Sequence, residues 1–214
     1  HCNGCTRCFA DCPYAAIAMA PHPGGRGQIA VVDADRCASC GICAGACPSS
    51  VPFRAGERLV SGIDLPGSTV GDLREALDAA LRAPHGQGAL VVFTCQRGAG
   101  LGPAPGRGLV VLGLPCAGML PPTFIEYALR GGASGVVVAA CPPSDCEFRF
   151  GARWTGERLA GEREPRLRRG VERERVEVLQ AAREERAALR AGIEAFRARL
   201  GAPQQETSTE VSDG

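Results

Sequence analysis

Residues 1–13, HCNGCTRCFADCP, carry four cysteines and set a proline directly after the last. Residues 36–48, RCASCGICAGACP, repeat the arrangement. Written as spacings, Cys2-x2-Cys5-x2-Cys8-x3-Cys12-Pro13 is matched by Cys37-x2-Cys40-x2-Cys43-x3-Cys47-Pro48. Three thiolates on one tight loop can grip three corners of an iron–sulfur cube, and the proline turns the chain away after the fourth. The fourth cysteine of each run is expected to begin a short helix. Structural zinc is the alternative, because paired C-x2-C steps also build four-cysteine sites. Zinc needs only two such steps, and has no use for a third cysteine and a Cys-Pro, twice over.

The double motif resembles the bacterial two-cluster ferredoxins, which use this spacing. That resemblance implies crossed ligation. Cys2, Cys5, Cys8 and Cys47 would hold one [4Fe–4S] cluster, and Cys37, Cys40, Cys43 and Cys12 a second. Each half then completes its neighbour's site, which accounts for the repeat. Ile17 and Val51 occupy similar places after the two Cys-Pro steps and are expected to shield the clusters from water. The stretch GQIAVVDADRC (27–37) reads as a strand and turn leading into the second loop.

Outward from these loops, the chain has 214 residues, room for one ordinary domain or two small ones. The net charge of +1 gives no electrostatic reason to expect nucleic acid or an anionic membrane as partner. Twelve cysteines could mark a disulfide framework, but most sit in tight repeats and no signal peptide precedes them. The longest apolar runs, ALVVF and GVVVAA, are far too short to span a bilayer. The chain begins at His1 without Met, as a piece of a longer protein with an upstream module would.

After the connector RAGERLVSGIDLPGS (54–68) the texture changes. STVGDLREALDAALRAP (68–84) predicts an amphipathic helix, with Thr69 and Asp72 as a capping box and Leu73, Leu77 and Leu81 on one face. ALVVFTC, LVVLGLPC and GVVVAAC are apolar on both faces, as strands buried in a parallel sheet are. Between the last two, PPTFIEYALRGG predicts a helix with Pro at its start and Gly beyond its end. RVEVL predicts a further strand, and REERAALRAGIEAFRARL a helix with a stripe of Leu189, Ile193, Phe196 and Leu200. The tail from 201 to 214 has the composition of a disordered segment.

Each of the three apolar runs ends in a cysteine, Cys95, Cys116 and Cys141, and Cys146 follows the third closely. Open α/β sheets bind ligands outside the carboxyl ends of their strands, so these thiols are expected to converge there on a metal centre. Single buried cysteines acting as small apolar residues are the bland alternative. Three at equivalent strand ends argue against it.

FTC (93–95), LPCAGMLPPTFIEYALRGGASGVVVAACPPSDC (114–146) and RVEVLQAAREER (175–186) are similar to the delta subunit family of methyl-viologen-reducing hydrogenase, over roughly residues 88–200. The resemblance implies a [2Fe–2S] cluster on Cys95, Cys116, Cys141 and Cys146. It implies passage of electrons from a hydrogenase or other donor to heterodisulfide-reductase-like proteins, with fused relatives attached to flavin or membrane cytochrome modules. The family often has a second cysteine three places after the first, where this chain has Gly98, and a histidine after the last, where it has Glu147.

Other features carry less. Gly98, Gly100 and Gly102 do not form G-x-G-x-x-G and no helix opens behind them. His22 and His85 belong to surface loops, and the Arg/Glu-rich segment 157–175 to a solvated face that could meet an acidic partner. No catalytic pair stands out. The expected architecture is an α+β two-cluster ferredoxin-like domain at 1–63, then a small three-layer α/β domain with a parallel sheet at 64–200. The expected role is single-electron relay inside an oxidoreductase complex, without enzymatic activity of its own. The location is expected to be cytoplasmic, any membrane association being supplied by a partner or an upstream module. A redox or iron–sulfur sensor that regulates a partner is the rival of another class, and a self-contained reductase a second.

Overall fold

The computed structural model describes residues 2–53, 58–83, 86, 88–102 and 106–201. The tail beyond Gly201 and His85 lie outside them.

The N-terminal part is two short helices and a hairpin. Helix α1 is Arg7–Ala10, β1 is Ile17–Pro21, β2 is Gln28–Val32 and α2 is Ile42–Ala46. Strands β1 and β2 pair antiparallel, Ile17 opposite Val32 and Pro21 opposite Gln28. The two cysteine runs coil alike. Gly4 and Ser39 have positive φ at equivalent places, as do Thr6 and Gly41, each just before its helix. The fourth cysteine does not begin the helix as expected. The short helix contains the third cysteine of each run, Cys8 in α1 and Cys43 in α2, while Cys12 and Cys47 fall after the helix ends. The positive-φ residue that closes the thiol loop also starts the helix, so the helix comes one cysteine earlier than the Cys-Pro step suggested.

Helix α3, Val70–Arg82, opens on the predicted capping box. The Asp72 N–H donates to Thr69 Oγ1 at 3.0 Å, and the Thr69 N–H donates to the Asp72 carboxylate at 3.0 Å. Leu73, Leu77 and Leu81 are buried. Strands β3 (Leu90–Cys95), β4 (Leu109–Leu114), β5 (Gly135–Ala140) and β6 (Val176–Gln180) form a sheet in the order β4-β3-β5-β6, every pair parallel. Alternate residues of the central strands face opposite layers, which is why their sequences are apolar throughout. Val91, Phe93, Val136 and Val138 pack with the buried leucines of α3 and with Phe124 and Ile125 of α4 (Thr123–Arg130). Leu90, Val92, Val137 and Ala139 pack under Leu189, Ile193 and Phe196 of α6 (Arg186–Gly201). The result is the three-layer α/β arrangement expected.

Helix α5, Gly151–Ala160, and the segment after it correct part of the reading of 157–175 as a solvated face, most of whose residues are exposed. Arg158 is only 1% exposed, and Leu159, Leu167 and Val171 are buried with it. The two parts of the chain share cores. Ala44 and Leu59 join the cluster of α3 and the sheet, and Cys40 and Ile42 join Cys116 and Phe148. No described helix is long and apolar enough to cross a membrane.

Candidate metal centres

The first run's thiols gather around Cys8. Burial pushes Cys8 up to about 11, and the neighbouring charges of Cys47, Cys2 and Cys5 push the same way. Cys47 belongs to the second run, so the chain brings a remote cysteine to the first loop. Burial acts to raise Cys47 as well. The Ser61 hydroxyl and the N–H groups of Ser49, Gly62 and Ile63 outweigh it, so the thiol is lowered. Ile17 and Ile63 are buried against Cys8 and Cys47. Val51, expected to share that shielding role, is half-buried and outside the cluster; Ile63 takes the place.

The second set lines a cavity of about 330 Å³ whose walls include Cys12, Cys37, Cys40 and Cys43, with Ile17, Ile42 and Leu65. Cys12 is here the visitor from the first run. Its sulfur accepts the Ala16 N–H at 3.3 Å. Burial and the charges of Cys40, Cys8 and Cys37 push Cys43 up to about 12. Cys8 and Cys43 lie side by side in the N-terminal core, so the two sets are neighbours.

The third set assembles at the carboxyl edge of the parallel sheet. Cys95 ends β3, Cys141 follows β5, and Cys116 stands two residues past β4 at the start of a 3-10 turn, Ala117–Met119. Cys146 reaches them from the loop before α5. Cys95 and Cys146 are each lowered by hydrogen bonds from Cys116 and Cys141, and those two are raised by the same contacts. Backbone N–H groups point at the thiols, from Gly118 to Cys116 at 3.4 Å and from Ala152 to Cys146 at 3.5 Å. Gly151 has no side chain for a steric reason, since a Cβ there would lie 2.2 Å from Cys116 Sγ. At the rim Glu147 pairs with Arg97 at 3.3 Å.

None of the twelve cysteines is in a disulfide. Among the described residues, no three Cys, His, Asp or Glu surround a point that a single metal ion could occupy. Tetrahedral zinc holds its sulfurs about 3.8 Å apart, whereas the second set surrounds an apolar cavity. Four thiols spread around a largely apolar space fit a polynuclear iron–sulfur group.

Sequence reasoning missed the polar seam beside these sets. Asp11, adjacent to Cys12 and 5% exposed, receives Arg158 Nη2 at 2.6 Å and Arg163 Nη2 at 2.6 Å. Arg158 Nη1 also donates to the Gly118 carbonyl at 2.9 Å, inside the 3-10 turn after Cys116. Arg149 donates to the Pro13 carbonyl at 2.7 Å and lies over the Tyr14 ring at 4.8 Å. No spacing rule couples residues 11 and 158, so no signal in the sequence could have paired them.

Two family matches accompany this geometry. Residues 1–51 match the 4Fe-4S dicluster domain, and residues 107–202 match the delta subunit of methyl-viologen-reducing hydrogenase. Over 41 residues the chain is 44% identical to an iron–sulfur subunit of the F420-non-reducing hydrogenase of Archaeoglobus profundus, a stretch covering 19% of this chain and 30% of that protein. The chain thus spans about a third of that relative's length. In one polypeptide it thus carries a region similar to the 4Fe-4S dicluster domain and a region similar to the delta subunit of methyl-viologen-reducing hydrogenase.

Proposed function

We propose that this chain is an electron-transfer module of a hydrogenase or heterodisulfide-reductase-type complex, relaying single electrons between three iron–sulfur centres. What supports the proposal is that Cys8 neighbours Cys2, Cys5 and Cys47, that Cys12, Cys37, Cys40 and Cys43 line one cavity, and that Cys95 and Cys146 interact with Cys116 and Cys141. Cys2, Cys5, Cys8 and Cys47 would hold one [4Fe–4S] cluster, and Cys12, Cys37, Cys40 and Cys43 the other. Cys95, Cys116, Cys141 and Cys146 would hold a [2Fe–2S] cluster. These groups supply one-electron carriers whose potentials respond to hydrogen bonds on sulfur, charge and exposure. The chain's own residues exclude water with Ile17, Ile42 and Ile63 and aim backbone N–H groups at the ligand sulfurs.

The donor is a hydrogenase-like protein and the acceptor a heterodisulfide-reductase-like protein or membrane cytochrome partner. Substrate chemistry takes place in those partners, and the module carries no catalytic residue. Iron and acid-labile sulfide analysis with EPR of the reduced protein tests this reading. About ten irons per chain are expected, from two four-iron centres and one two-iron centre. Four-thiol sites filled with zinc and free of sulfide would overturn it.

A further inference from the structure

The second and third cysteine sets meet at Ile42, with Tyr14 beside it. Ile42 is fully buried at the start of α2, and its N–H donates to the Cys40 sulfur. Its side chain packs in one cluster with Cys40, Cys116 and Phe148, bordered by Tyr14 and Trp154. The far side of the contact is tight. A Cβ on Gly118 would lie 2.8 Å from Ile42 Cγ1, and one on Gly151 3.4 Å from Ile42 Cδ1 and 2.2 Å from Cys116 Sγ. Cys8 and Cys47 of the first set pack instead with Ile17 and Ile63, apart from the C-terminal cysteines.

We propose that the three centres stand in a line with the Cys12, Cys37, Cys40 and Cys43 set in the middle, and that Cys40–Ile42–Cys116 is the junction through which an electron passes between the middle and C-terminal centres. This rests on the iron–sulfur reading above. In the step one centre is oxidised by one electron and the other reduced by one. No bond forms or breaks and no proton moves, which suits a dry contact of apolar side chains. The Asp11–Arg158–Gly118 seam holds the two halves in register beside the junction, so the gap is set by packing rather than by a mobile loop. The set built on Cys2, Cys5, Cys8 and Cys47 is then a terminus of the line.

EPR spin relaxation in the fully reduced 214-residue protein reads the order. The C-terminal signal is expected to relax fast beside the reduced middle centre. It should keep that behaviour in Cys5→Ala/Cys8→Ala protein, which lacks the first centre, and lose it in Cys37→Ala/Cys40→Ala protein, which lacks the middle one. The opposite pattern, with the C-terminal iron and sulfide present, overturns the order and leaves the iron–sulfur reading standing. Absence of iron and sulfide from the C-terminal set in the unmutated protein overturns that reading, and this inference with it. Ile42 is tested by the rate of electron exchange between the two centres after pulsed reduction. Ile42→Ala is expected to slow it several-fold at unchanged iron content, beyond what any measured change in midpoint potentials accounts for. Ile42→Val, which keeps most of the volume, should slow it less and serves if the alanine variant loses iron. An unchanged rate in a variant with intact centres removes Ile42 from the junction.

Discussion

Asp11 and Arg158 are 147 positions apart, yet they form a buried ion pair one residue from a cysteine of the second set. Breaking such a pair on one side leaves an uncompensated charge in a dry place. Asp11→Asn is therefore expected to destabilise the protein by about 3–5 kcal/mol, read as a lower denaturation midpoint. A loss nearer the about 0–1 kcal/mol of an exposed pair would show that the seam is solvated. Gly151→Ala tests the other tight residue. Its Cβ would be directed at Cys116 Sγ, so the variant is expected to bind about two irons fewer than the parent, the content of one [2Fe–2S] centre, with the remaining iron retained. Full iron content would mean that Cys116 can move aside. Crossing of the runs is also read at this scale. Cys47→Ala should damage the cluster of the first loop and Cys12→Ala that of the second, each seen as loss of one of two four-iron EPR signals. Damage confined to the mutated run's own loop would make the ligation local.

Elements differ in how far their neighbours in sequence explain them. Helix α3 is locally determined: the Thr69–Asp72 box, the leucine stripe and Arg82 in the last turn all lie within its own span. Thr69→Ala is expected to cost about 1 kcal/mol in thermal unfolding without touching iron content. The central strands were legible as well, because a strand covered on both faces must be apolar at every position. Helix α5 was not. Its segment reads as charged, and only the burial of Arg158 against Asp11 and the Gly118 carbonyl reveals an inward face. Gly41 is a second case. Its counterpart in the first run is Thr6, also at positive φ, but the Met119 side chain occupies the space a Cβ on residue 41 would need, at 2.8 Å. Position 41 is fitted to an element nearly eighty residues away, while Thr6 is exposed.

Across the whole molecule the halves are packed rather than merely tethered, since Ala44 and Leu59 sit in the core of the parallel-sheet half. A chain of residues 64–214 is proposed to fold around its own sheet and four cysteines. It should melt at a lower temperature than the full protein, because Arg158 loses Asp11 and the Ile42 pocket opens to water. Equal melting temperatures would mean that the seam adds no stability. The cysteine spacings, the capping box and the all-apolar strands could be read from the chain because each is a relation between residues a few positions apart. Local geometry alone imposes such relations. Convergence of Cys95, Cys116 and Cys141 was also legible, since parallel strands deliver their ends to one edge. The closeness of Cys40 to Cys116, the burial of Arg158 and the need for glycine at 41 and 151 were decided only by tertiary packing. Each depends on the distance between surfaces far apart in the chain, and side-chain volume rather than spacing sets that distance.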